Sequence, residues 1–287
     1  LNQYVYYIAF PAILLIALAQ QPIEEILQWG FIAGYSAAML MIYLICVGIS
    51  LLFNPKQHAI AAVRALNATF GNTAFIGIPL LVIIFPEQQS ALVAAAIASL
   101  LSVLMFAVAL VSLELTTNTH RQHHAVVIMC LAVVKNPIVI GCFIGIAISA
   151  LGITLPSGVA MMIQQIGNTS SPCALFAVGM VLAKAMRYQK DSKVFSLTNL
   201  IELSLINLFK LILQPALVFF MLKSVGVSGD YLVMGVILSA LPTAASVYLL
   251  AQRYNTQAST SAQGILFGTI VTFFSLPILE QLVKTYS

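Results

Sequence analysis

Gly71-Asn72-Thr73-Ala74-Phe75-Ile76-Gly77-Ile78-Pro79-Leu80-Leu81 interrupts a long apolar run with glycine, amide, hydroxyl and proline. A second stretch, Ser239-Ala240-Leu241-Pro242-Thr243-Ala244-Ala245-Ser246, does the same late in the chain. Hydrocarbon offers no partner to a free backbone N–H or C=O. A break at membrane depth therefore survives only where it is buried in protein or lines a cavity.

The rest of the sequence makes the membrane the relevant solvent. Hydrophobic residues make up 61% of the 287 and charged residues 7%, where a soluble domain carries roughly 25% charge. The mean hydropathy of +1.04 belongs to a chain that is apolar throughout. The net charge of +4 is spread over short connections instead of one patch, which excludes a nucleic-acid partner. Cys46, Cys130, Cys142 and Cys173 lie in apolar surroundings and read as small buried hydrophobes. His120, His123 and His124 with Arg121 read as a solvated loop, without the ligand set of a metal site. No H-E-x-x-H, G-x-S-x-G or Walker pattern occurs, so the chain reads as neither an enzyme nor an ATP-driven pump, with no cofactor.

A membrane helix needs about 20 apolar residues. Nine runs qualify, at 3–20, 29–53, 60–85, 89–113, 137–153, 158–183, 197–222, 230–251 and 260–282. None shows the alternation of a membrane barrel, so the fold class is all-α and polytopic. Lysine and arginine in the connections set the orientation. With 54–58, 114–136, 184–196 and 252–259 in the cytoplasm, that side collects Lys56, Arg64, Arg121, Lys135, Lys184, Arg187, Lys190, Lys193 and Arg253. Lys223 and Lys284 fall on the other side, Lys210 falls inside a span, and the C-terminus is expected to be extracytoplasmic.

Pro11 and Pro172 are 161 residues apart, and Pro79 and Pro242 are 163 apart. This near-constant offset predicts two homologous units, 1–113 and 137–287, joined by a cytoplasmic linker at 114–136. The later unit holds five spans and the earlier one four. A first helix is therefore expected upstream of Leu1, in about 25–35 further residues. Five spans per unit would make the two units inverted in the membrane.

The interruptions carry the chemistry. Half-helix N-termini present unpaired N–H groups and partial positive charge, which suit a carboxylate. Asn72 and Thr73 stand beside the first break, with Pro79 expected to end it; Pro242 and Thr243 stand in the second. Asn72 can donate its amide to an anion, or cap freed carbonyls. Asn168 and Ser171 add a polar face before Pro172, in substrate contact or in helix–helix hydrogen bonds. Lys210 is an intramembrane charge, flanked on its own face by Asn207 and Gln214. It reads as a coupling cation or as a structural tether. Paired interruptions in two halves are the pattern of a secondary transporter.

Several of these segments carry a resemblance: Gly71-Asn72-Thr73 with Gly77-Ile78-Pro79-Leu80-Leu81, Phe10-Pro11-Ala12, Lys135-Asn136-Pro137, Ser171-Pro172, and Lys210 before Pro215. Over essentially its whole length the chain resembles the auxin efflux carrier family, in its prokaryotic branch of malate- or malonate-type permeases. The resemblance implies inverted five-helix repeats with two crossing broken helices, similar in fold to bile acid–sodium symporters. It also implies elevator-like alternating access and an organic anion near Asn72. The expected partners are a small organic carboxylate and the lipid bilayer of a prokaryotic cytoplasmic (inner) membrane. Coupling to H+ or Na+ and a homodimeric assembly are both compatible with it. A sodium-coupled bile-acid-type symporter and a non-transporting membrane receptor are the rival readings.

Overall fold

The computed structural model describes residues 1–86, 88–117, 125–188 and 197–286. Among the described residues the architecture is all-α, and the only strand-like pairing is a single bridge between Gly71 and Thr243. We label the helices α1 (Asn2–Ala19), α2 (Trp29–Phe53), α3 (His58–Thr69), α4 (Thr73–Ile84) and α5 (Gln89–Thr117). They are followed by α6 (Ala125–Val134), α7 (Pro137–Ala150), α8 (Ser157–Asn168) and α9 (Ser170–Tyr188). The chain ends with α10 (Leu200–Ser224), α11 (Gly229–Ser239), α12 (Ala245–Arg253) and α13 (Ala258–Tyr286).

Among the described residues five helices are long and apolar enough to cross a membrane unaided: α1, α2 with the turn before it, α5, α10 and α13. The other expected spans are built from shorter helices. Residues 60–85 divide into α3 and α4, 158–183 into α8 and α9, and 230–251 into α11 and α12, while 137–153 is the 14-residue α7. The expected loop at 114–136 is a different matter. There α5 runs on to Thr117, and the wholly apolar α6 occupies Ala125–Val134. The interruption falls at Lys135–Asn136, because Pro137 starts a new helix and Asn136 Oδ1 accepts from Ile138 N–H at 2.9 Å. The His120–His124 cluster and Ser287 lie outside the described residues.

Among the described residues three helices widen to a π-type turn two residues ahead of a proline. The turns are Val5–Ala9 before Pro11, Thr73–Gly77 before Pro79, and Phe209–Leu213 before Pro215. A proline ring cannot sit in a regular α-turn against the carbonyl four residues back. Widening the preceding turn lets the helix continue, and such bulges gather at functional sites. Lys210 lies in the third.

The helices pack in two groups. In one, α1 is embraced by α7 and α8. In the other, α2, α3, α5, α10, α11 and α13 surround the two interrupted segments. Large apolar side chains such as Leu44, Phe143 and Phe273 are exposed, as expected where lipid is the solvent. Lipid tails are as apolar as leucine, so what holds such a bundle is close packing and internal hydrogen bonds.

Candidate functional site: the crossing of two broken helices

The first break is Phe70-Gly71-Asn72 and the second is Ala240 to Ala244; they meet. Asn72 N–H donates to Pro242 O at 2.8 Å, and Ala244 N–H donates to Phe70 O at 3.1 Å. Each break thus satisfies groups that the other sets free. Proline suits this position: it has no N–H to leave unpaired, and its carbonyl is the acceptor used. Thr243 Oγ1 adds a bond to Asn67 O at 2.7 Å, tying the second break to the last turn of α3.

The C-terminal ends of the two first half-helices are held by one neighbouring helix. Lys210 Nζ donates to Ser239 O, in the last residue of α11, at 2.7 Å, and to Gln214 Oε1 at 2.6 Å. Gln214 Nε2 in turn donates to Thr69 O, in the last residue of α3, at 3.1 Å. Both side chains are fully buried. A helix C-terminus carries partial negative charge and unpaired carbonyls. One ammonium and one amide on α10 therefore cap both arms of the crossing. Gly71 leaves room for this, since a Cβ there would lie 3.3 Å from Lys210 Nζ. Asn207 is not part of the arrangement: its Nδ2 bonds to Leu203 O of its own helix at 2.9 Å, and its Oδ1 packs beside Gly268.

At the other side of the breaks lie the N-termini of α4 and α12. Asn72 caps α4, its Oδ1 accepting from Phe75 N–H at 3.3 Å. Among the described residues Asn72 Nδ2 has no acceptor, and it is only half-buried. No side chain caps α12, which starts after Ala244. Thr73 Oγ1 is buried without a hydrogen-bond partner. Pro79, expected to end the break, sits a turn inside α4, because the intervening bulge keeps that segment helical.

Among the described residues no hydrogen bond joins Asn168 or Ser171 to this centre, although α9 packs against α4. Asn168 is exposed, and its Oδ1 accepts from Gln164 Nε2 of its own helix at 2.7 Å. The polar stretch around it makes a kink between α8 and α9, not a break. Thr169 Oγ1 turns back to Ile166 O at 2.6 Å and meets Tyr4 OH of α1 at 2.7 Å.

Three features have no signal in the sequence pattern. Arg64 Nε pairs with Glu202 at 2.7 Å and Arg64 Nη1 with Ser50 Oγ at 3.0 Å, bracing α3 against α10 and α2. Glu114, expected at the start of a loop, is a buried helical residue bonded by Tyr254 OH. Gly71 stands in the sequence only as part of the first interruption, and its role as free space beside a charge depends on a residue far along the chain. Among the described residues no cluster of His, Cys, Asp or Glu could hold a metal.

A helical membrane protein whose two broken helices cross in this way belongs to a class built for moving solutes. Residues 1–279 match the family described as "Membrane transport protein", and the chain belongs to that family. It is 26% identical over 288 residues to the "Putative malonate transporter" of Rhizobium meliloti (strain 1021), covering 99% of this chain and 87% of that one. It is 25% identical over 224 residues to the "Uncharacterized transporter YfdV" of Escherichia coli (strain K12), covering 77% and 68%. It is 28% identical over 149 residues to the "Probable auxin efflux carrier component 5a" of Oryza sativa subsp. japonica, covering 50% and 38%. The resemblance to the auxin efflux carriers is thereby borne out. The protein is an integral membrane transporter, not an enzyme.

Proposed function

We propose that this protein is a secondary active transporter for a small organic anion, a mono- or dicarboxylate, bound where the two broken helices cross. The observation that carries the reading is the polarity of the crossing. The carbonyl ends of α3 and α11 are neutralised by Lys210 and Gln214, while among the described residues Asn72 supplies the one side-chain cap at the N–H ends of α4 and α12. Positive half-helix ends with a spare amide donor favour a carboxylate. The name of the Rhizobium meliloti relative supports a dicarboxylate of malonate size.

Asn72 is the direct donor in this reading, with Thr73 and Thr243 shaping the site. Lys210 is the coupling residue. Its ammonium does between two helix ends what a bound cation would do, and Gln214 extends it to the first arm. The packing in two groups supports elevator-like alternating access. The group of α1, α7 and α8 serves as the frame, and the group containing the crossing moves against it. Residues 1–113 and 137–287 are the two inverted repeats, and the C-terminus faces away from the cytoplasm of a prokaryotic inner membrane.

Uptake of radiolabelled malonate and related carboxylates into proteoliposomes, with imposed proton and sodium gradients in turn, tests this. Accumulation driven by one gradient and abolished in Asn72→Ala is expected. Equal counts in protein-free liposomes, for every carboxylate and gradient, would remove the transport reading.

A further inference from the structure

Asn72 has an aromatic neighbour on its own helix. Phe75 lies three residues on, sharing the helix face, and its N–H is the one that Asn72 Oδ1 caps. Its ring does not pack within its own group of helices alone. It meets Phe10 of α1 edge-to-face, with centroids 5.2 Å apart and planes at 88°. The pair thus spans the boundary between the two helix groups, one turn from the spare donor of Asn72.

Phe10 is held in a rigid seat. It is fully buried, and the backbone next to it is clamped from two sides. A Cβ on Gly141 of α7 would lie 2.7 Å from Pro11 Cα, and one on Gly167 of α8 would lie 2.8 Å from Ile13 Cα. Backbone contact this close needs glycine and leaves α1 little freedom to shift. Phe75 is half-buried and rides on the half-helix that begins at Asn72. A ligand whose carboxylate reaches Asn72 Nδ2 would therefore have the half-buried Phe75 ring, and the buried Phe10 ring against it, within one helical turn.

We propose that Phe10 and Phe75 are the specificity-determining residues of the anion site, closing it to bulky carboxylates and keeping it for short aliphatic ones. This rests on the crossing being the substrate site. The ring pair contributes an apolar, space-filling wall. Truncating either ring opens the space while leaving Asn72 and both helix ends in place.

The test is competition against malonate binding by a graded series, acetate, malonate, malate, benzoate and phenylacetate, on wild type, Phe10→Ala, Phe75→Ala and Phe75→Leu. In wild type the aliphatic acids should compete and the aromatic acids should not. Both alanine variants should shift the phenylacetate-to-malonate affinity ratio by at least tenfold toward phenylacetate, and Phe75→Leu by less. If Phe10→Ala does not fold, Phe75→Ala carries the test, because its side chain is not fully packed. Wild-type binding of malonate with an unchanged ratio in Phe75→Ala overturns the wall and leaves the site standing. Failure of wild type to bind any acid in the series overturns the site, and the wall with it.

Discussion

Two polar interruptions of similar composition end differently in this molecule. At the crossing, Phe70–Asn72 and Ala240–Ala244 leave the helix altogether, and other elements take up what they release. At the junction of α8 and α9, Gln164, Asn168 and Thr169 satisfy mainly their own helix, and the chain continues with a kink. The number of polar residues does not separate the two cases. What separates them is whether a second broken segment and a buried donor stand ready to receive the freed backbone groups.

Replacing the donor is the strongest way to break that comparison. Lys210→Met leaves Ser239 O and Gln214 Oε1 without their donor, and each unsatisfied buried acceptor costs roughly 1–3 kcal/mol. Removing a buried charge relieves some desolvation, so a net loss of about 2 kcal/mol is expected, read as a lower unfolding temperature in detergent. Transport should be lost even where the protein remains folded. A variant with unchanged unfolding and unchanged uptake would show that the ammonium is dispensable.

Asn72→Ala acts on the opposite ends of the half-helices. It removes an N-cap worth about 1 kcal/mol. It also removes the spare amide donor, so malonate affinity should fall by roughly 1–3 kcal/mol, measured by titration calorimetry. Loss of stability with affinity intact would reduce Asn72 to a cap.

Much of this is legible in the sequence, for reasons that particular residues make plain. Pro79 and Pro242 flag the two broken segments, because proline beside glycine and hydroxyl side chains is costly to place at membrane depth unless the helix is meant to open there. Lys210 stands out because a charge at that depth must find a partner inside the protein. What is not legible is where a donor aims. Asn207 and Gln214 lie on the same face as Lys210, at i−3 and i+4, yet only Gln214 bonds to it. The π-type turn at Phe209–Leu213 reorients that face, and a regular helical wheel does not contain it. Asn168 reads two ways for a different reason. An amide at depth reads the same whether it serves a ligand or the residue one turn away. Within 114–136 the helix at Ala125–Val134 is not legible, because the ten apolar residues of α6 are too few to register as a span and yet form a helix.

A double-mutant cycle sharpens the contrast further. Gly71→Ala would set a Cβ 3.3 Å from Lys210 Nζ, tight enough to displace the ammonium at a cost of about 1 kcal/mol in strain. In a Lys210→Met background the charge is already gone and the thioether stem is adaptable, so the same substitution should cost less. Residues in contact show such non-additivity, and distant ones do not. Unfolding free energies of the four proteins measure it. Strict additivity would mean that Gly71 keeps space for something other than the ammonium.

The smallest expected effect falls on the kink. Asn168 is exposed and bonds only to Gln164 of its own helix among the described residues. Truncating it leaves no buried group unsatisfied, so Asn168→Ala should change stability by less than about 0.5 kcal/mol. Malonate affinity and uptake should stay within about twofold of wild type, which is under about 0.5 kcal/mol. Tyr4→Phe is the companion measurement. It removes the hydroxyl that meets Thr169 Oγ1, which already has Ile166 O as a partner, and should cost about 1 kcal/mol of stability with affinity unmoved. A drop in affinity of about tenfold or more in Asn168→Ala, with folding intact, would bring the kink into the substrate path. The two polar interruptions would then share one function, reached at different stages of transport, and the crossing alone would no longer define the site.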